Sequence, residues 1–194
     1  MKLLRFLSPV VFAFALASAA EVIEPEFDVL VRVPLDGGLA ATGPGGSVLK
    51  AEAGGGLNFV EGKAGQAASF GDGQFVEYTL PAALKLDAGT LEFWLLPDYD
   101  RHDLADHPMI RLASGDGKGG LDVFFDRNKC AIMAVMKRGD EKTVLSTGRF
   151  NPRKWNHVAV TWRSGARATF RLYVDGRMWG VAESFTAPDR KSVV

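Results

Sequence analysis

Apolar and polar residues alternate with a period of two along most of this chain. In "TLEFWLLP" (90–97), Leu91, Phe93 and Leu95 fall on one side and Glu92, Trp94 and Leu96 on the other. In "WNHVAVTWR" (155–163), Val158, Val160 and Trp162 alternate with His157, Ala159 and Thr161. In "TFRLYVDG" (169–176), Phe170, Leu172 and Val174 alternate with Arg171 and Tyr173. A period of two belongs to strands with one buried face. Strands are accordingly predicted at 29–35, 48–53, 67–70, 75–80, 90–97, 109–113, 121–125, 131–136, 143–146, 157–163, 169–174 and 177–181. They recur at intervals of about ten residues, with Gly, Pro, Asp or Asn between most of them, as in a β-sandwich or barrel. No helical period stands out, and "PAALKL" (81–86) holds one short helical turn at most.

Local turn chemistry supports the same reading. Asp175-Gly176 separates two alternating runs, and a tight two-residue turn needs the positive φ that Gly tolerates and Asp accepts better than most. The early glycine clusters "DGGLAATGPGGS", "AGGGLN" and "FGDG" read as loops and bulges. None opens a helix with the Lys-Ser/Thr ending of a phosphate cradle.

The first twenty residues have a different layout. "MKLLR" is basic, residues 6–16 are apolar, and "ASAA" supplies small residues before Glu21. This is the plan of a secretory signal, with cleavage expected after Ala19 or Ala20; an uncleaved anchor is the alternative. The predicted organisation is a leader at 1–20 and one domain at 21–194, placing the protein outside the cell, in a periplasm or at a cell surface. No later stretch is long and apolar enough to be a membrane span. Lys2 and Arg5 lie in the leader, so 23 basic and 23 acidic residues become 21 and 23. That balance gives no electrostatic reason to expect nucleic acid. The one cysteine, Cys130, lies in "KCAIMAV" and reads as a small buried strand residue.

Four segments in order, "FVEGKAGQAASFGDGQFVEY" (59–78), "GTLEFWLLP" (89–97), "WNHVAVTW" (155–162) and "FRLYVDGRMWG" (170–180), resemble the laminin-G-like jelly-roll domains of the concanavalin A-like lectin/glucanase superfamily. The resemblance implies an all-β, antiparallel two-sheet sandwich with six or seven strands in each sheet. Such domains usually end on a further strand beside the first one. Here "ESFTAPDRKSVV" follows Val181, so that strand is expected to be absent or the sequence to be a fragment.

The superfamily includes glycoside hydrolases, which need two carboxylates flanking the scissile bond. On one strand these must stand at i and i+2. Glu24, Glu26 and Asp28 have the spacing but include Pro25, and Asp98 and Asp100 follow Pro97 into a loop; Glu92 is alone on its strand. The chain is therefore read as non-enzymatic, with a hydrolase as the alternative. Its expected role is a binding or adhesion module for carbohydrate or protein; a structural module of a larger surface protein, without a ligand, competes with it. On the sheet face, Trp94, Arg171 and Tyr173 are the candidate ligand residues, near Glu92 and His157. On the rim loop "PDYDRHDLADHP" (97–108) the candidates are Tyr99, Arg101 and His102. Asp98, Asp100 and Asp103 are the candidate ligands for a cation, calcium first among them.

Overall fold

The computed structural model describes residues 2–7, 10–11, 29–81, 87–115, 117–148 and 150–183. Its strands are β1 (Lys2–Leu7), β2 (Val10–Val11), β3 (Ala51–Gly54), β4 (Asn58–Glu61), β5 (Gln66–Ser69), β6 (Phe75–Leu80), β7 (Ala88–Pro97) and β8 (His107–Ala113). They continue as β9 (Gly119–Asp126), β10 (Ala131–Arg138), β11 (Glu141–Ser146), β12 (Asn156–Arg163), β13 (Thr169–Val174) and β14 (Arg177–Glu183). Among the described residues the only helical element is a 3-10 turn at Pro44–Gly46, and no helix is long and apolar enough to cross a membrane.

A seven-stranded sheet runs β11-β10-β9-β8-β1-β6-β3, and a five-stranded sheet runs β14-β13-β12-β7-β2. A separate ribbon pairs β4 with β5. The apolar positions of both sheets meet in one core. Phe93, Leu95, Val158, Val160, Phe170 and Leu172 come from one side, and Val76, Tyr78, Ile110, Leu121, Val123, Phe125 and Ile132 from the other. At ~25 cal/mol per Å2 such burial contributes roughly 1.5–3 kcal/mol for each large side chain, an upper figure because the denatured chain is itself compact. This is the antiparallel sandwich expected from the alternation, with one sheet smaller than the six or seven strands expected.

Three local expectations are corrected. Residues 29–35 form no strand: Arg32 makes only an isolated bridge with Thr42. Pro34 lacks the N–H a ladder needs, and Leu35 at φ 55 leaves the extended region, although Val33 and Leu35 are still buried. Strand β4 was not expected; its alternation lasts four residues and shows only against β5. Cys130 lies in the turn before β10 at φ 51, partly exposed, with Sγ 3.8 Å from His102 Nδ1. Within the expected leader, residues 2–7 and 10–11 are described as strands. Lys2–Leu7 pairs with β6 on one side and β8 on the other, and Val10–Val11 pairs with β7. Residues 82–86, the expected cleavage site and the carboxylates of Glu24, Glu26 and Asp28 lie outside the described residues.

Candidate ligand-binding face

The outer side of the five-stranded sheet is built by register. In β7 and β12, His157 lies across from Trp94, Ala159 from Glu92, and Thr161 from Thr90. In β12 and β13, Ala159 lies across from Tyr173 and Thr161 from Arg171. Strand β14 then places Met178 beside Tyr173 and Val181 beside Arg171. Residues paired across antiparallel strands share a face. Trp94, Glu92, His157, Tyr173 and Arg171 thus stand on one surface, as their alternation in the sequence implies. Small side chains at Ala159 and Thr161 leave a low floor between the aromatic residues. Two strand spacings separate Trp94 from the Tyr173 strand, about 10 Å.

The turn between β13 and β14 fixes one end of this face. Asp175 and Gly176 adopt φ 50 and 74, the pair of left-handed residues a tight hairpin turn needs. The Asp175 carboxylate accepts the His157 backbone N–H at 2.8 Å, while its own N–H donates to the His157 carbonyl at 2.8 Å. His157 is therefore held at the start of β12. Its ring centroid lies 5.1 Å from that of Trp94, tilted by 48°, and its Nε2 lies 3.6 Å from Glu92 Oε2. Lys63, in the turn of the β4–β5 ribbon, places its Nζ 4.9 Å from the centre of the Trp94 ring. This is a cation–π contact on a partly exposed indole. Lys63, Met178 and Val181 were not among the sequence candidates. Lys63 reaches the face only through a ribbon that the sequence pattern did not reveal, and Met178 follows from pairing across a bulge.

The rim loop between β7 and β8 has a different character. Asp98, Tyr99, Asp100, Arg101, His102, Asp103, Leu104 and Ala105, with Pro152 and Arg153, surround an open hollow of about 870 Å3. Tyr99 is 5% exposed and belongs to the core, which corrects its assignment as a rim ligand residue. Its ring stacks on His107 at 3.8 Å and lies 5.2 Å from Phe125 and 5.9 Å from Phe150. Burial, with Asp98 and Asp103 nearby, pushes its phenol far above the usual range, so it is neutral at physiological pH. Arg101 and His102 remain exposed.

The three aspartates do not converge. Asp100 pairs with Arg153 at 3.4 Å. Asp103 accepts the Ala105 N–H at 2.8 Å and lies 3.1 Å from His107 Nε2. Nearby Asp106 accepts the Arg127 N–H at 2.9 Å. Among the described residues no group of three His, Cys, Asp or Glu side chains could hold a metal ion, which corrects the assignment of Asp98, Asp100 and Asp103 to a calcium site. The carboxylates instead tie the loop together.

The Ala105 N–H, helped by His107 against partial desolvation, holds the Asp103 carboxyl below its ordinary value. A carboxyl lowered on folding stabilises the fold above its unfolded pKa of about 4 and loses that contribution as pH falls through its native value. Asp103→Asn is expected to unfold at a lower temperature than the parent chain at pH 7. The two melting temperatures should converge on acidification below about pH 4. A constant gap across a pH series would contradict this role.

Arg111, Asp122 and Lys137 form an ion-pair cluster on the outer side of the seven-stranded sheet, with Arg111 Nε 2.7 Å from Asp122 Oδ1 and Lys137 on the other carboxylate oxygen. On the same side Val135 of β10 is buried beside Asp122, while Val144, across from it on β11, is exposed. The outer face of the five-stranded sheet is the one that combines partly exposed aromatic, imidazole, guanidinium and carboxylate groups.

A laminin G-type family profile, described as concanavalin A-like lectin/glucanases superfamily, matches residues 70–193. The chain belongs to this superfamily. The match spans β6 to β14 and so includes every sheet strand that carries the face described above, apart from β2. No curated protein and no solved structure matches the chain. Trp94, Arg171 and Tyr173 lie on β7 and β13 within the matched region, while Lys63 reaches the face from the ribbon before it.

Proposed function

We propose that this laminin G-type domain is an exported, non-enzymatic binding module that takes an oligosaccharide across the outer face of the five-stranded sheet. The observation that carries the reading is the register that sets Trp94, His157, Glu92, Tyr173 and Arg171 on one surface around Ala159 and Thr161. Aromatic rings suit the C–H faces of sugar rings, while guanidinium, imidazole and carboxylate groups suit their hydroxyls. The span of about 10 Å between Trp94 and the Tyr173 strand accommodates more than one sugar ring.

The same geometry supports the non-enzymatic reading. Glu92 is the carboxylate near the centre of this face; the Asp175 carboxylate at its end is taken up by the His157 backbone N–H at 2.8 Å and the Asn151 side chain at 3.3 Å, and Glu183 lies three strands away on β14. Glycoside hydrolysis uses a pair of carboxyl groups free to act as acid and as base or nucleophile. Export is proposed from the leader-like layout of residues 1–20.

The expected result is that cello-, xylo- or laminari-hexaose binds the full chain in calorimetric titration. Trp94→Ala should weaken binding by about tenfold or more, as expected for the loss of a large aromatic contact. Added chelator should leave affinity unchanged. Failure of all three sugars, or full binding by the Trp94→Ala variant, would overturn the proposal.

One observation favours the competing reading, a structural module without a ligand: Lys63 already covers the Trp94 ring. If a sugar displaces Lys63, Lys63→Ala should bind more tightly than the parent chain. If the contact serves only folding, the substitution lowers stability and no sugar affinity appears.

A further inference from the structure

Lys63 stands where a ligand stacking on Trp94 would have to pass. It occupies the turn between β4 and β5, and its Nζ lies 4.9 Å from the centre of the Trp94 ring. The ribbon that carries it is fixed. Ala67 and Ala68 of β5 are buried. The Gln66 N–H donates to the Asp36 carboxylate at 2.7 Å, and the Gly62 N–H donates to the Gly65 carbonyl at 2.9 Å. The movable part is therefore the long, exposed Lys63 side chain. Residue 63 precedes the matched residues 70–193, so this contact belongs to the chain and not to the family profile.

The charges on this face are unevenly partnered. Glu92 Oε2 lies 3.6 Å from His157 Nε2, and the Asp175 carboxylate accepts the His157 N–H and the Asn151 side chain. Glu183 lies across from Thr169, which has Arg163 on its other side. Among the described residues, no carboxylate stands within ion-pair distance of Lys63 or of the half-buried Arg171. Two strand spacings, about 10 Å, part Arg171 from the strand of Trp94. A ligand crossing the sheet from Trp94 to Tyr173 thus meets two cations that no carboxylate of the face neutralises.

The cost of stacking on Trp94 then depends on the charge of the ligand. A neutral sugar displaces the ammonium and loses the cation–π contact, which lowers affinity by about two- to fivefold at an exposed site. A sugar bearing a carboxylate draws the ammonium onto itself, and the charge-assisted hydrogen bond offsets the lost contact. Arg171 can hold a second carboxylate through two parallel hydrogen bonds. We propose that Lys63 is a charge-selective latch on Trp94, and that this face takes chains bearing uronic acids in preference to neutral ones. The inference rests on reading this face as a sugar site.

Calorimetric titration of the full chain tests it with matched pairs of ligands. Cello- and laminari-hexaose are compared with the same chains oxidised at C6 to uronates, and xylohexaose with a form substituted by glucuronic acid. At low salt, at least one acidic chain should bind about tenfold more tightly than its neutral counterpart, and added salt should shrink the difference. In Lys63→Gln the two affinities should move in opposite directions. The neutral chain should bind about two- to fivefold more tightly and the acidic one more weakly. A loss of folding cannot produce that pattern. Arg171→Gln should lower the ratio of acidic to neutral affinity severalfold. Equal affinity within every matched pair would overturn the inference and leave sugar binding standing. So would a change of the same sign for both chains in Lys63→Gln. If no chain of either kind binds, the sugar reading itself fails and the inference falls with it.

Discussion

Gly120→Ala is expected to lower the stability of this domain by roughly 3 kcal/mol or more, the range of backbone strain combined with a steric clash. Gly120 adopts φ 152 in β9, paired with Ala113 on one side and Lys137 on the other. A Cβ there would fall well inside contact distance of the Leu112 carbonyl oxygen and 3.2 Å from the Ala113 Cα. Both atoms belong to the backbone of β8, and moving them would break the ladder that joins β8 to β9. The start of β9 is also clamped: Ser114 Oγ donates to the Gly119 carbonyl at 3.0 Å and accepts the Gly119 N–H at 2.8 Å. The strain has no easy outlet. Urea denaturation measures the effect, with Gly38→Ala as the comparison, because nothing lies near a Cβ at Gly38. Gly38→Ala should change stability by less than about 1 kcal/mol; equal losses at the two sites would show that the close approach at Gly120 is relieved at little cost.

Asn156→Ala is the second large effect, expected at about 3 kcal/mol from the loss of several hydrogen bonds in a buried site. Asn156 is 0% exposed. Its Nδ2 donates to the carbonyls of Asn151 at 2.8 Å and Lys154 at 2.6 Å, and its Oδ1 accepts the Asn151 N–H at 2.7 Å. Three backbone groups of the loop before β12 are satisfied by this one side chain. Alanine would remove that partner from all three at once and open a space at a fully buried position; the cost is about that of three hydrogen bonds, because Asn151 and Lys154 are exposed and water can reach their backbone. The loop leads directly into His157, so its loosening should also reach the ligand face. A fall in thermal midpoint, together with faster amide exchange at Asn151 and His157, is the expected pair of results. A fall in midpoint with unchanged exchange at both amides would separate Asn156 from the position of His157.

Much of this was legible in the sequence where alternation and turn chemistry agree. β6 and β13 have the predicted bounds, and Asp175-Gly176 forms the predicted turn, because each depends on neighbours a few residues apart. The faces of β7, β12 and β13 were readable for the same reason. What escaped depends on tertiary contact. Tyr99 stands in a polar loop among aspartates, and only the folded chain shows its ring turned inward onto His107 and Phe125. Asp98, Asp100 and Asp103 are close in sequence, yet Asp100 and Asp103 are drawn to different partners. Asn156 resembles any strand-edge polar residue until its three partners are known. The pairing of Lys2–Leu7 was hidden because its basic and apolar composition fits a leader as well as a strand.

The direct test of the ligand face is a backbone and indole nuclear magnetic resonance spectrum of the labelled full chain during titration with cello-, xylo- and laminari-hexaose. With at least one of them, the largest shifts should fall on the Trp94 indole and on His157, Ala159, Thr161, Arg171 and Tyr173. Shifts centred on Arg101, His102 and Arg153 would move the site to the rim hollow, and a spectrum unmoved by any of the three would contradict sugar binding by this face.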